Sequence, residues 1–277
     1  MTSEHPEIRP GQSIELLKQL HILTRDGKLN QDSRRKLKQV YHLYQFIEPL
    51  LAEALAARAD IQLVDHGAGK SYLGFILYDL FFRHQAPAGR IHGIETREEL
   101  VMSSRRLADK LGFSAGMRFQ HLSVADSISS ERLPAHIDVV TALHACNTAT
   151  DDAIHFALAR QARFIVLVPC CQAEVAAALR RNKQQALAQP IAELWRHPIH
   201  TREFGSHVTN VLRCLQLESH GYQVNVTELV GWEHSMKNEL IIASQKGAPR
   251  RQAAERLRVL LETLGLQALA PRFFTGA

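Results

Sequence analysis

A chain of 277 residues that is 45% hydrophobic can bury one core of the size an α/β enzyme needs, with residues left over for helical additions. The polar opening from Met1 to Gln12, with Pro6 and Pro10, contains no apolar signal-peptide region, and apolar stretches such as Phe164 to Cys171 fall far short of the roughly 20 residues that span a bilayer. Net charge is +5, a mild lean towards polyanionic partners, and the four cysteines at 146, 170, 171 and 214 lack the spaced C-x-x-C grip of a structural zinc, so a cytoplasmic setting with neither membrane nor metal is expected.

The pattern predicts a first helix with Ser13 as N-cap, running through Ile14, Leu17, Leu20 and Leu23 until the Arg25-Asp26-Gly27 turn. A longer helix starts near Asp32 or Ser33 and puts Leu37, Val40, Tyr41, Tyr44, Ile47 and Leu51 on one face. Near its start the opposite face carries Arg34, Arg35, Lys36 and Lys38. From Ile61 the pattern changes to strands alternating with helices, at Ile61 to Val64, Arg90 to Ile94, Met117 to Leu122, Ile137 to Leu143 and Phe164 to Val168. Such alternation is the signature of a parallel sheet with crossover helices.

A long helical segment from Ala173 through Leu217 is interrupted at Pro190 and Pro198. Two strands follow, Tyr222 to Val230 and Glu239 to Ser244, joined by a turn around Gly231 to Lys237. So short a connection forces an antiparallel hairpin, since a parallel return needs a crossover of about a dozen residues or more. Beyond Gly247 a last amphipathic helix is marked by Leu257, Leu260, Leu261 and Leu264, after the basic pair Arg250-Arg251. The fifteen histidines are scattered, without H-x-x-x-H or H-E-x-x-H spacing, and most read as surface or hydrogen-bonding residues.

The most informative segment is Val64-Asp65-His66-Gly67-Ala68-Gly69-Lys70-Ser71-Tyr72-Leu73-Gly74, a glycine turn between a strand and a helix. Glycines there let a ligand approach the backbone at a helix N-terminus. A Walker A loop matches only at Gly69-Lys70-Ser71, because Val64 stands where its first glycine belongs. A dinucleotide G-x-G-x-x-G fits imperfectly, since after Gly67 and Gly69 the next glycine is Gly74. The third reading takes Asp65, Gly67 and Gly69 together as an acidic residue followed by x-G-x-G, which resembles the S-adenosylmethionine loop. A carboxylate suits a cationic sulfonium ligand with an amino group and repels a pyrophosphate. In the plainest reading the two glycines only shape a tight turn.

Glu95 ends the second strand, where a carboxylate can accept hydrogen bonds from both ribose hydroxyls of an adenosine ligand; otherwise it is an exposed acid capping the next helix. After the third strand, Asp126 is the candidate partner of an adenine amino group, or else part of an Asx turn into Ser127.

The fourth strand leads into His144-Ala145-Cys146-Asn147-Thr148-Ala149-Thr150-Asp151-Asp152 and the fifth into Val168-Pro169-Cys170-Cys171-Gln172. With the loop at Asp65, these segments resemble a class I S-adenosylmethionine-dependent methyltransferase family. Its members carry H-x-C-G-x-A-T-D after strand four and paired cysteines after strand five, and they include eukaryotic tRNA ribose 2′-O-methyltransferases. Asn147 stands where the family has glycine, and the zinc modules of the eukaryotic tRNA enzymes have no counterpart. The resemblance implies an α/β, Rossmann-like class I methyltransferase: a mostly parallel seven-stranded sheet with an antiparallel C-terminal hairpin and an N-terminal helical extension. The expected division is a helical extension at 1–57, the catalytic domain at 58–247 and a C-terminal amphipathic helix at 248–277.

S-adenosyl-L-methionine is the expected cofactor, held by Asp65, Gly67, Gly69, Glu95 and Asp126. His144 and Asn147 are the catalytic candidates. His144 deprotonates a hydroxyl or positions the substrate, or it bonds only neighbouring backbone. Asn147 holds an amide, base edge or ribose through its paired donor and acceptor, or caps the helix starting near Ala149. Cys170 and Cys171 read as packing groups. The basic start of the second helix, with Arg25, Lys28 and Arg250-Arg251, makes RNA (tRNA or rRNA) the expected substrate. Protein or small-molecule methylation, a non-catalytic adenosine- or RNA-binding module, and NAD-dependent oxidoreduction stay open at this stage.

Overall fold

A computed structural model describes residues 7–143, 145, 147–169, 172–181, 190–229 and 239–274. It contains two compact units, Met1–Ser123 and Val124–Ala277.

In the first unit, α1 (Ile14–Gln19) is followed by α2 (Gln31–Ala57), β1 (Gln62–His66), α3 (Tyr72–Leu77), β2 (Arg90–Glu95), α4 (Glu98–Leu111) and β3 (Met117–His121). Helix α3 continues into a π-helical turn at Tyr78–Phe82 and a last turn at Arg83–Gln85. The three strands are parallel in the order β3-β2-β1, with Asp65 opposite Gly93 and Glu95 opposite His121. Gly93 has a steric reason: a Cβ there would come within 2.7 Å of the Phe119 ring on β3. Helix α4 has Glu98 and Glu99 in its first turn, Lys110 in its last and Gly112 at φ 72° as its stop, all favourable to the helix dipole and its termination.

Ser13 caps α1 as expected, its Oγ accepting the Leu16 N–H at 3.1 Å. The helix ends at Gln19, however, and does not reach Leu23. The N–H groups of Ile22 and Leu23 both fold back onto the Leu17 carbonyl. Leu20, Ile22 and Leu23 are nonetheless buried, beside Phe75, Met117 and Phe119. Their apolar spacing therefore records a wrapped turn driven into the core and not further helix. Helix α2 begins slightly earlier than expected, because Asn30 is its cap and accepts the Ser33 N–H at 2.8 Å.

The second unit comprises α5 (Val124–Ile128), β4 (Val139–Ala142), α6 (Thr148–Ala159), β5 (Phe164–Leu167), α7 (Glu174–Arg181), a 3₁₀ turn at Pro190–Trp195, α8 (Pro198–Ser219), β6 (Tyr222–Glu228), β7 (Glu239–Gln245), α9 (Arg251–Thr263) and α10 (Ala270–Phe273). Strands β4 and β5 are parallel and wholly buried, which explains their unbroken apolar runs. Strand β7 lies antiparallel between β5 and β6, so the two C-terminal strands are antiparallel to each other as expected. The turn expected around Gly231 to Lys237 lies outside the described residues. Pro198 occupies the first turn of α8, where a missing N–H costs nothing.

The apolar core of this unit includes Val175, Leu179, Trp195, Leu212, Leu257, Leu261 and Phe273, with Trp195 stacked on Phe204 at 5.2 Å. Helices α7 and α8 meet at Gly205, where a Cβ would lie 2.7 Å from both Cα and Cβ of Ala176. Backbone cannot yield as a flexible side chain does. Gly205→Ala is therefore expected to lower stability by about 1–3 kcal/mol in chemical denaturation, despite alanine's better helix propensity.

Candidate active site

The turn after β1 is built by backbone conformation. Gly67 and Gly69 have φ of 65° and 58°, the left-handed region that side chains disfavour, and the Ala68 N–H donates to the Ile94 carbonyl at 3.0 Å. A Cβ on Gly69 would meet nothing closer than 3.8 Å, so the turn is open there. Asp65 is buried on β1 at 3% exposure, next to the fully buried His66. Burial holds the His66 imidazole neutral, with its pKa down to about 3. Ser71 follows in the left-handed region at φ 53°, its side chain buried against Gly74. A Walker A serine needs its hydroxyl at a phosphate-bound cation; here it is turned into the helix base.

Glu95 joins this turn to the end of β2. Its Oε2 accepts the Gly69 N–H at 2.8 Å, while Oε1 accepts the Arg97 backbone N–H and Nε, each at 3.0 Å. Arg97 NH2 reaches Oε2 at 3.2 Å. Burial opposes ionisation of this carboxyl. The Arg97 side chain and the two backbone donors outweigh it and hold the pKa at about 2, so the group is an ionised acceptor at neutral pH.

In the second unit, Asn147 precedes α6 with φ 53° and ψ −124°, a conformation suited to glycine. Its side chain does not cap α6; Oδ1 instead accepts the Ala173 N–H at 3.2 Å. Asp151, one turn into α6, forms a bidentate pair with Arg213 of α8, with Nε to Oδ1 at 2.6 Å and NH2 to Oδ2 at 3.0 Å. Both side chains are buried, at 3% and 1% exposure. The guanidinium also donates to the Asn147 carbonyl at 3.0 Å and to Asn210 Oδ1 at 3.3 Å. Asn210 in turn accepts from Gln172 and donates to Glu239. Thus α8 holds together the chain that follows β4, the chain that follows β5 and the first residue of β7. An ion pair this deep is tolerable because almost every donor and acceptor is used.

Residues 35–178, just over half of the chain, match the model of a family described as a methyltransferase domain. The chain belongs to this methyltransferase family. The O-methyltransferase of Bacillus cereus, solved with S-adenosylhomocysteine, shares its fold at a TM-score of 0.51 and 11% identity, covering 87% of this chain and 94% of that one. The glutathione S-transferase C-terminal domain-containing proteins of Mus musculus and Homo sapiens are each 26% identical over 150 and 151 residues, 54% of this chain. The matched region spans about a fifth, 21%, of the length of those relatives. The matched region is thus a methyltransferase domain, on a fold shared with an O-methyltransferase solved with S-adenosylhomocysteine.

Of the site residues expected from the methyltransferase sequence, Asp65, Gly67, Gly69 and Glu95 fall in one unit, and Glu95 bonds directly to Gly69. Asp126 is exposed in the first turn of α5, in the other unit. Asn147 is in that unit too, while His144, Cys146, Cys170 and Cys171 lie outside the described residues. Arg97, Arg213 and Asn210 escaped the sequence reading. A signal for the last two exists: Asn210, Arg213 and Gln216 recur every third residue on a buried face of α8. Among the described residues no group of histidine, cysteine or acidic side chains is placed to hold a metal, and no helix is long and apolar enough to cross a membrane.

Because the Glu95 pKa is lowered from 4.5 to about 2 on folding, its contribution to stability is fully present above about pH 4.5 and is lost as pH falls towards 2. The stability gap between wild type and Glu95→Gln should therefore narrow steadily from pH 5 to pH 2 in denaturant titrations. A constant gap would show that the carboxylate gains no charge-dependent support in the fold.

Proposed function

We propose that this methyltransferase acts on RNA, with S-adenosylmethionine held by the Gly67–Gly69 turn, Asp65 and Glu95. The fit to the donor rests on the open backbone at Gly69 and on an ionised carboxylate at the end of β2. Glu95 takes the ribose hydroxyls, exchanging contacts now made by Arg97, and Asp65 faces the positively charged end of the donor. Asp126 receives the adenine amino group. His144 and Asn147 contact the acceptor substrate. The donor supplies an activated methyl group, so the chain's own work is alignment and removal of a proton. On this reading residues 58–247 are catalytic, 1–57 form a helical extension and 248–277 a C-terminal helix.

The observation that carries the RNA reading is the exposed basic surface at the start of α2. Arg25, Lys28, Arg34, Arg35, Lys36 and Lys38 are all exposed. Arg34 pairs with Glu7 at 3.0 Å, and Arg35 comes only within 4.0 Å of Asp32. Pairs this exposed hold their charges loosely, leaving the cluster available to phosphates. The resemblance of the His144–Asp151 segment to tRNA ribose methyltransferases supports the same class.

The test uses calorimetry with S-adenosylhomocysteine and salt-dependent binding to total tRNA. Asp65→Ala and Glu95→Ala should each lose most nucleoside affinity in a folded protein. Reversing Arg34, Arg35 and Lys38 together should weaken tRNA binding and flatten its salt dependence, with nucleoside affinity intact. An unchanged tRNA curve would remove RNA as the substrate class.

A further inference from the structure

The geometry of residues 147–151 reaches beyond the general reading above, although it rests on Asn147 contacting the substrate. Asn147 has a backbone conformation that costs an L-residue energy, in a position where the resembling family has glycine. Two bonds hold it there: Arg213 to its carbonyl, and its own Oδ1 to the Ala173 N–H. Because the group facing Oδ1 is an N–H donor, the amide's orientation is settled. The oxygen is engaged, and Nδ2 has no hydrogen-bond partner among the described residues of a side chain that is itself partly exposed.

We propose that Arg213 is a positioning residue for methyl transfer: it fixes the strained Asn147 turn so that the Asn147 amide donates a hydrogen bond to an oxygen acceptor on the substrate. RNA offers such acceptors at its phosphates and base carbonyls. The opposite task, accepting a hydrogen bond from a substrate amine, falls to an oxygen that has one of its two acceptor positions taken by the Ala173 N–H. Asp151 orients the guanidinium through two bonds, and Asn210 ties it to Gln172, so the turn's geometry is dictated from α8.

Asn147→Asp tests the donor directly. It keeps an oxygen for the Ala173 N–H, tolerates positive φ and replaces the NH2 group by an acceptor. Arg213→Lys keeps a buried cation but forfeits the fork. Transfer of radiolabelled methyl from S-adenosylmethionine is followed into total RNA and, in parallel, into total protein and a metabolite extract, with S-adenosylhomocysteine affinity measured by calorimetry. Asn147→Asp should label its pool at least about tenfold more slowly at saturating donor, with nucleoside affinity unchanged. Arg213→Lys should also be slow, and the double variant no slower than Asn147→Asp alone, because the arginine acts through the asparagine. Multiplying losses are what a merely structural arginine would give, and they overturn the proposal, as does a folded Asn147→Asp working at the wild-type rate. Label entering protein with the same pattern of losses supports this proposal and removes the RNA reading. A wild type that labels no pool overturns both.

Discussion

The hydrogen bond from the Gly69 N–H to the Glu95 carboxylate ties the first glycine turn to the end of the neighbouring strand, and the proposed donor site depends on it. The turn can come so close only because Gly67 and Gly69 adopt positive φ, and the carboxylate stays ionised only because backbone N–H groups and Arg97 offset its burial. A charged acceptor is thereby fixed beside open backbone. Such a pairing favours a neutral ribose and a cationic sulfonium over a pyrophosphate, and the buried Ser71 side chain takes away the remaining resemblance to a nucleotide-phosphate loop.

In the second unit the corresponding role falls to a charge inside the core. The Asp151–Arg213 pair lies where either ion alone would be costly, and it gains from hydrogen bonds that reach Asn147, Asn210 and, through Asn210, Gln172 and Glu239. Three separate pieces of chain are fixed relative to one another by side chains of a single helix. Apolar packing of α8 against α7 and α9 builds one core cluster of this unit, whereas this polar set specifies how the loop after β4 is oriented.

The core strands and the antiparallel C-terminal pair were legible because each core strand is a short apolar run and because the spacing of the last two forbids a crossover. The positions of Gly67 and Gly69 in the turn after β1 and of Glu95 at the end of β2 were legible because turn chemistry and strand ends leave few alternatives for those residue types. The end of α1 was not: Leu20, Ile22 and Leu23 are apolar at helical spacing, yet they are buried by a turn that folds back on Leu17. Arg97 and Arg213 were invisible for different reasons. Arg97 sits in an ordinary helix-start sequence, and its importance comes only from the carboxylate two residues before it. Arg213 lies 62 residues from Asp151, so tertiary packing alone brings the pair together.

Arg97 now occupies the carboxylate that the donor's ribose is proposed to take, so the most direct measurement is a crystal structure of the protein with S-adenosylhomocysteine bound. The account predicts both ribose hydroxyls on Glu95, the Arg97 guanidinium moved off that carboxylate and the Gly69 N–H bond kept. A nucleoside bound elsewhere, with Arg97 still on Glu95, would contradict it.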